Sequence, residues 1–327
     1  MSSYATALLA PAAVAFAVSA TVVWMLLKTR AGRLALDQPN ARSLHTTATP
    51  RVGGIGILAG IAAAAIYAAH DTSASLAMAF MAVVAVSLVD DLRGLNAVVR
   101  LPIHLAAAAL AAMSLLGAHA PWPWLLAATL AIAWMANLYN FMDGSDGLAG
   151  GMAVFGFSAC AMAAVIGGGV AFAAMNLAIA AAAAGFLWFN FPPARVFMGD
   201  AGSVPLGFLA AVSGIEGWAR GHWPLWFGVL VFSPFILDAT VTLAKRLVRG
   251  ERIWQAHYKH YYQRLVRSGW GHRKTALAGY ALMVACGALA LLGAFLSATA
   301  QAALLAIAGA AYLGIVLILE RKLHAAP

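Results

Sequence analysis

An all-α polytopic membrane protein is the fold class this 327-residue sequence predicts. Hydrophobic residues make up 63% of the chain and Asp, Glu, Lys and Arg only 9%, whereas soluble domains carry about a quarter charged residues. So few polar side chains cannot cover a water-facing surface, and most of that surface must face lipid. The apolar runs are long and lack strict alternation. They therefore suit helices and not barrel strands, since a backbone in hydrocarbon must satisfy its hydrogen bonds internally.

Windows of about twenty residues mark eleven transmembrane helices, near 5–27, 53–70, 74–89, 101–118, 122–138, 148–167, 170–190, 204–219, 223–244, 276–297 and 300–319. The first lacks a basic leader and its apolar run continues, so it reads as a retained span and not as a signal peptide. Eleven spans place the termini on opposite sides. With the N-terminus outside and the C-terminus cytoplasmic, the loops 28–52, 90–100, 139–147, 191–203 and 245–275 and the tail from 320 face the cytoplasm. These segments hold every Lys and Arg except Arg220, as the positive-inside rule requires. The net charge of +9 is thus mainly a topology signal, with a secondary attraction to anionic lipid or substrate, and it does not point to nucleic acid. Cys160 and Cys286 lie in apolar stretches and read as small core residues. The whole chain, 1–327, reads as one membrane domain.

The carboxylates are unevenly placed. Asp90 and Asp91 in VDDLRG, Asp143 and Asp146 in NFMDGSDG, and Asp200 in FMGDAGS all fall at cytoplasmic ends of spans, while Asp238 in ILDAT lies deeper. Taken singly, each is as readily a helix cap or an interfacial group as a functional one. As a set they are hard oxygen donors suited to Mg²⁺ or Mn²⁺, and Mg²⁺ takes one or two carboxylates together with phosphate oxygens and water. The adjacent Asp90 and Asp91 would repel unless a cation lay between them.

The segment from Lys245 to Lys274 is rich in Lys and Arg, most of them ordinary positive-inside charge. Within it, His257 and His260 alternate with Tyr258, Tyr261 and Tyr262, rings able to stack on a base or sugar. Their three-residue spacing predicts one helical face, suited to hydrogen bonding a phosphate or sugar. In the first loop, Arg42, His45 and Arg51 precede Gly53, Gly54 and Gly56. A glycine-rich helix start beside an Arg can hold a phosphate.

From PNARSLH to HYYQRL, over roughly residues 37–265, the chain resembles the bacterial polyprenyl-phosphate N-acetylhexosamine-1-phosphate transferases. VDDLRG, NFMDGSDGLAGG and FMGDAGS in this order carry the resemblance. It implies an enzyme of the bacterial inner membrane with a cytoplasmic active site. The implied reaction moves a sugar-1-phosphate from a UDP-N-acetyl sugar to undecaprenyl phosphate, releasing UMP with Mg²⁺ or Mn²⁺. Carried over, Asp90 and Asp91 match the paired catalytic aspartates, with Asp91 and Asp200 toward the metal. Asn140, Asp143 and Asp146 match the NxxDGxDG motif that organises nucleotide and metal. His257, His260 and Arg264 match the substrate-binding region of the last loop, and Arg42, His45 and Arg51 belong to the first. HYKHYYQRL lacks the consecutive histidines of the peptidoglycan-precursor enzymes and the HIHH cluster of the common-antigen and teichoic acid type. It looks more like the subgroup that initiates O-antigen or capsule units, often with 6-deoxy sugars such as FucNAc or QuiNAc. ATPRVGG also replaces the usual PTPRGGG.

The alternative within the class is a UDP-GlcNAc-specific initiating transferase, and outside it a divalent-cation transporter. Transport sites usually lie near the midplane, whereas these carboxylates crowd one face. A homodimer is left open.

Overall fold

A computed structural model describes residues 2–29, 35–39, 44, 47–69, 72–117, 119–252 and 257–324. Its helices are α1 (Ser2–Lys28), α2 (Gly53–Tyr67), α3 (Ala74–Arg93), α4 (Ala97–Leu116), α5 (Trp122–Met142), α6 (Leu148–Ile166), α7 (Val170–Asn190), α8 (Asp200–Ala219), α9 (Trp226–Val231), α10 (Ser233–Val248), α11 (Tyr261–Leu265), α12 (Gly271–Ala294) and α13 (Ala298–His324). A π-helical turn, Val266–Trp270, joins α11 to α12. Two short antiparallel strands, β1 (Leu36–Asp37) and β2 (Thr49–Pro50), pair Leu36 with Pro50.

Helix occupies all eleven expected segments, but among the described residues eight helical stretches are long and apolar enough to cross a membrane. α2 has 15 residues, short of the roughly 20 that a span needs. The 223–244 segment breaks into α9, of 6 residues, and α10, of 16. Pro234 sits in the first turn of α10, where a missing N–H costs nothing, so the helix restarts there. α8 is long enough, with 20 residues, but carries Asp200, Ser203, Ser213 and Glu216.

Small residues let the helices approach closely. α1 lies on α2 and α7, where Ser19 Oγ donates to Ala182 O at 2.7 Å. A second core forms between α3, α4, α5 and α8 from residues such as Val83, Ala108, Ala111, Ile132 and Phe208. α13 is the least enclosed element, exposing Ile307, Leu313, Leu317 and Ile318, apolar side chains suited to lipid.

One contact joins the start of α2 to the start of α8. Gly53 N–H donates to Phe197 O at 2.9 Å, Gly54 N–H to Met198 O at 2.8 Å, and Phe197 N–H returns a bond to Pro50 O at 2.7 Å. A Cβ on Gly54 would stand 2.3 Å from Gly202 N and 2.6 Å from its Cα, backbone atoms that cannot rotate away. The glycines of this helix start therefore serve packing. The N–H groups of Gly53 and Gly54 bond the 197–198 backbone and are not free for a phosphate, which corrects the sequence-based expectation for these two residues.

Gly54→Val should accordingly destabilise the protein by about 1–3 kcal/mol, the usual cost of overpacking, read as a lower thermal midpoint in detergent. Gly309→Ala on α13, where a Cβ meets nothing within 4 Å, should not lower it.

Candidate active site

The site is built around the N-terminus of α8. Gly199 precedes it with φ +73°, a left-handed backbone that glycine adopts without strain. Asp91, from the end of α3, accepts the N–H of Asp200 at 3.0 Å and of Ala201 at 2.8 Å. Both its oxygens thus satisfy orphan donors at the positive end of a helix dipole. Asp200 is held from two further helices. Asn140 of α5 donates Nδ2–H to Asp200 Oδ1 at 2.8 Å and to Ser203 Oγ at 3.0 Å. Arg100 of α4 reaches Asp200 Oδ2 at 2.9 Å and also binds Asp90, whose other oxygen accepts the N–H of Leu95. Adjacent residues on a helix do not face each other. Asp90 turns to α4 and Asp91 to α8, so the expected repulsion is relieved by divergence and by Arg100.

The 143–147 loop forms the opposite wall. Asp143 follows the last turn of α5, is half-buried, and receives no hydrogen bond from any described residue. Burial, then the charges of Asp200, Asp91 and Asp146, push its carboxyl well above the usual carboxylate range. Asp146 Oδ2 accepts the N–H of Ala194 at 3.0 Å. Its own N–H donates to His272 Nδ1 at 3.1 Å. A backbone N–H only donates, so Nδ1 is an acceptor and Nε2 carries the proton, given to Leu44 O at 3.1 Å. His272 is therefore a brace between three segments. Asn190, closing α7, accepts from Gly147 N–H and donates to Val196 O, both at 2.8 Å.

These walls enclose a polar cavity of about 190 Å³ lined by Arg51, Asn140, Asp143, Asp146, Asp200 and His272, among others. Arg51 Nε is buried there with no acceptor among the described residues. Of the residues expected from sequence, Arg51, Asn140, Asp143, Asp146 and Asp200 converge on this cavity, with Asp90 and Asp91 supporting its wall. Arg42 and His45 lie outside the described residues. His257, His260 and Arg264 do not line it. Helix begins only at Tyr261, so the two histidines do not share a helical face, although their rings lie 4.7 Å apart. His260 caps α11, its N–H donating to Gln263 Oε1 at 3.2 Å, while its ring meets Asp238 at 3.3 Å. Asp238 also accepts the N–H groups of Tyr261 and Tyr262 at 2.9 and 3.0 Å. Burial and the neighbouring His260, Arg246 and Lys259 bring His257 down to about 4, so it is neutral at pH 7. Tyr261 and Tyr262 are buried and offer no free face to a base.

Sequence reasoning passed over Arg100, Asn190 and His272. Arg100 closes the expected 90–100 loop, where it read as ordinary positive-inside charge, and its place ten residues after Asp90 was the available signal. Nothing local marks His272, whose partners are 126 to 228 residues away.

The Asp143 environment generates a pH dependence. Its folded-state pKa exceeds its unfolded one, so the folded protein binds more protons above the ordinary value of 3.8, and stability falls as pH rises beyond it. In metal-free protein the thermal midpoint should drop between acidic and neutral pH. Asp143→Asn should flatten that drop and raise the midpoint at pH 7, as a melting series across pH will read.

Comparison with known proteins places this geometry. A family model described as Glycosyl transferase family 4 matches residues 73–217, the stretch that carries both paired aspartates, the 143–147 loop and the start of α8. The "Probable undecaprenyl-phosphate N-acetylglucosaminyl 1-phosphate transferase" of Bacillus subtilis is 31% identical over 265 residues, covering 75% of this chain and 74% of that protein. The decaprenyl-phosphate N-acetylglucosaminephosphotransferase of Mycobacterium tuberculosis is 28% identical, over 78% of this chain and 74% of its own length. A phospho-N-acetylmuramoyl-pentapeptide-transferase from Moorella thermoacetica is also 28% identical, over 80% of this chain and 90% of its own. With the motifs, the multi-helical membrane fold and these relatives in agreement, the chain belongs to glycosyl transferase family 4, among the polyprenyl-phosphate N-acetylhexosamine-1-phosphate transferases.

Proposed function

We propose that the protein transfers an N-acetylhexosamine-1-phosphate from a UDP-sugar to undecaprenyl phosphate, at the cytoplasmic face of the bacterial inner membrane. The supporting observation is the cavity that gathers Arg51, Asn140, Asp143, Asp146 and Asp200 from separate segments and leaves Arg51 Nε buried without an acceptor among the described residues. A guanidinium N–H in that state is complementary to a phosphate oxygen. At about 190 Å³ the cavity suits the diphosphate end of the donor, since whole drug-sized ligands fill roughly 300–1,000 Å³.

The donor set fits Mg²⁺. Among the described residues no three His, Cys, Asp or Glu side chains form a ready-made cage, while Asp143 is a hard oxygen donor without a partner, beside Asp200. A pair of carboxylates completed by substrate phosphates and water is the usual Mg²⁺ arrangement. Asp200 and Asp143 are the residues that would hold it, with Asp91 fixing Asp200. When bound, the ion would neutralise diphosphate charge during transfer.

In the reaction, an oxygen of the lipid phosphate bonds to the sugar-linked phosphorus. The bond from that phosphorus to the bridging oxygen breaks, and UMP leaves with the bridging oxygen and its electron pair. The chain's own contribution is positioning and charge. Arg51 holds a phosphate oxygen, while Asn140 and Arg100 keep Asp200 oriented. A phosphate monoester loses its second proton near pH 6, so the attacking group is already mostly dianionic at neutral pH. Asp90, bound by Arg100 and Leu95 N–H, acts in this scheme mainly by positioning Arg100.

The wording of the last loop favours a 6-deoxy donor for an O-antigen or capsule unit, whereas two of the three named relatives are N-acetylglucosamine enzymes. UMP release by purified protein with undecaprenyl phosphate and a panel of UDP-N-acetyl sugars decides between these readings. Turnover should vanish with EDTA and return with Mg²⁺. Metal uptake into proteoliposomes without UMP release would favour the transporter instead.

Asp200→Asn should lower kcat by about 10²–10³, the scale of losing one preorganised electrostatic group. Arg51→Ala should reduce kcat/KM by roughly ten- to a hundredfold, the value of a charged hydrogen bond. Wild-type turnover in either variant would refute the assignment of that residue.

A further inference from the structure

α11 separates two surfaces. The Tyr262 hydroxyl donates to Phe141 O at 3.0 Å, at the end of α5 that leads into the active-site loop. Tyr261 and Arg264 face the ends of α10 and α13, onto a second cavity of about 290 Å³. This cavity shares no lining residue with the carboxylate cavity. Its walls present Lys245, Arg246, Arg249, Lys259 and Arg264 against a single carboxylate, Glu320. Glu320 Oε1 accepts from Lys245 at 2.7 Å, Arg264 at 3.1 Å and the Tyr261 hydroxyl at 2.6 Å. Glu251, behind the wall, binds Arg246 at 2.9 Å and Lys259 at 2.6 Å. Among the described residues, these two carboxylates and Asp238, which accepts from the wall residue Thr242 at 3.2 Å, stand against five cations and leave two positive charges in excess.

The surroundings identify the medium. Between Arg246 and Arg249, Leu247 and Val248 are 63% and 88% exposed, an arrangement suited to an interface where apolar side chains enter lipid and basic ones meet headgroups. Tyr261 is also a wall of an adjoining cavity of about 290 Å³, lined by Leu237, Leu265, Leu282, Ile315 and Leu319, among others. A cationic rim over an apolar cleft between helices matches an anionic lipid, with its phosphate on Lys and Arg and a chain below. A soluble nucleotide has no use for the cleft. The carrier's phosphate must reach the Asp200 cavity, which this rim does not line.

We propose that the α10–α11–α13 rim is a binding site for an anionic phospholipid, from the leaflet on the active-site side of the membrane. The full-length protein is reconstituted in nanodiscs of mixed phosphatidylcholine and phosphatidylglycerol, and retained lipids are counted by native mass spectrometry, a readout independent of transferase activity. Wild type should retain phosphatidylglycerol over phosphatidylcholine. Lys245→Gln with Arg249→Gln should weaken that retention by roughly ten- to thirtyfold. Glu320→Gln, which removes the competing carboxylate, should strengthen it, so a poorly folded double variant leaves the idea open to refutation. Equal retention of both lipids by wild type, unchanged retention in all variants, or displacement of phosphatidylglycerol by undecaprenyl phosphate would overturn the proposal.

Discussion

The capping of α8 by Asp91 is the interaction on which the site depends. A helix start leaves backbone N–H groups without partners, and here a carboxylate from another helix takes two of them. That bond fixes where α8 begins, and Asp200 is its first residue. It also ties the end of α3 to the 200–201 backbone, directly after the 197–198 carbonyls that α2 grips through Gly53 and Gly54. Three helix ends are thus locked around one residue without any side chain having to cross the bilayer core.

With its position fixed, the chemistry of the site follows from charge imbalance. Asp90 and Asp200 share Arg100, and Asp91 is satisfied by backbone, but among the described residues Asp143 has no donor, and burial followed by the repulsion of its neighbours disfavours its charge. On the facing wall Arg51 keeps a buried N–H that no described residue accepts. A diphosphate accompanied by a divalent cation would answer both needs. Across α11 the imbalance has the opposite sign, with cations in excess beside exposed aliphatic side chains. A five-residue helix therefore divides a carboxylate-rich chamber from a basic rim flanked by exposed aliphatic side chains.

Much of the fold was legible because membrane helices announce themselves through long apolar runs, and all eleven expected segments are helical. The number of true spans was less so, since length and apolarity fail in α2, α8 and the α9–α10 break for three different reasons. Within the site, Asn140, Asp143, Asp146 and Asp200 were readable from glycine-flanked polar motifs at helix ends. Asp90 and Asp91 were readable as residues but not as roles, because which way two adjacent carboxylates turn depends on α4 and α8. His257 and His260 looked like ligand groups from spacing alone, yet His260 caps α11 against Asp238.

By itself, the sequence determined the membrane class, the helical segments, the family motifs and the face on which the carboxylates gather. Those properties are local or compositional, set by apolar length, charge placement and residues within a few positions of each other. Tertiary structure alone decided that Arg100 joins Asp90 to Asp200, that His272 and Asn190 brace the 143–147 loop, and that Arg264 turns away from the cavity toward Glu320. Each of these rests on partners from distant helices, whose meeting is fixed by how small residues let the bundle close and by which orphan backbone groups need an acceptor.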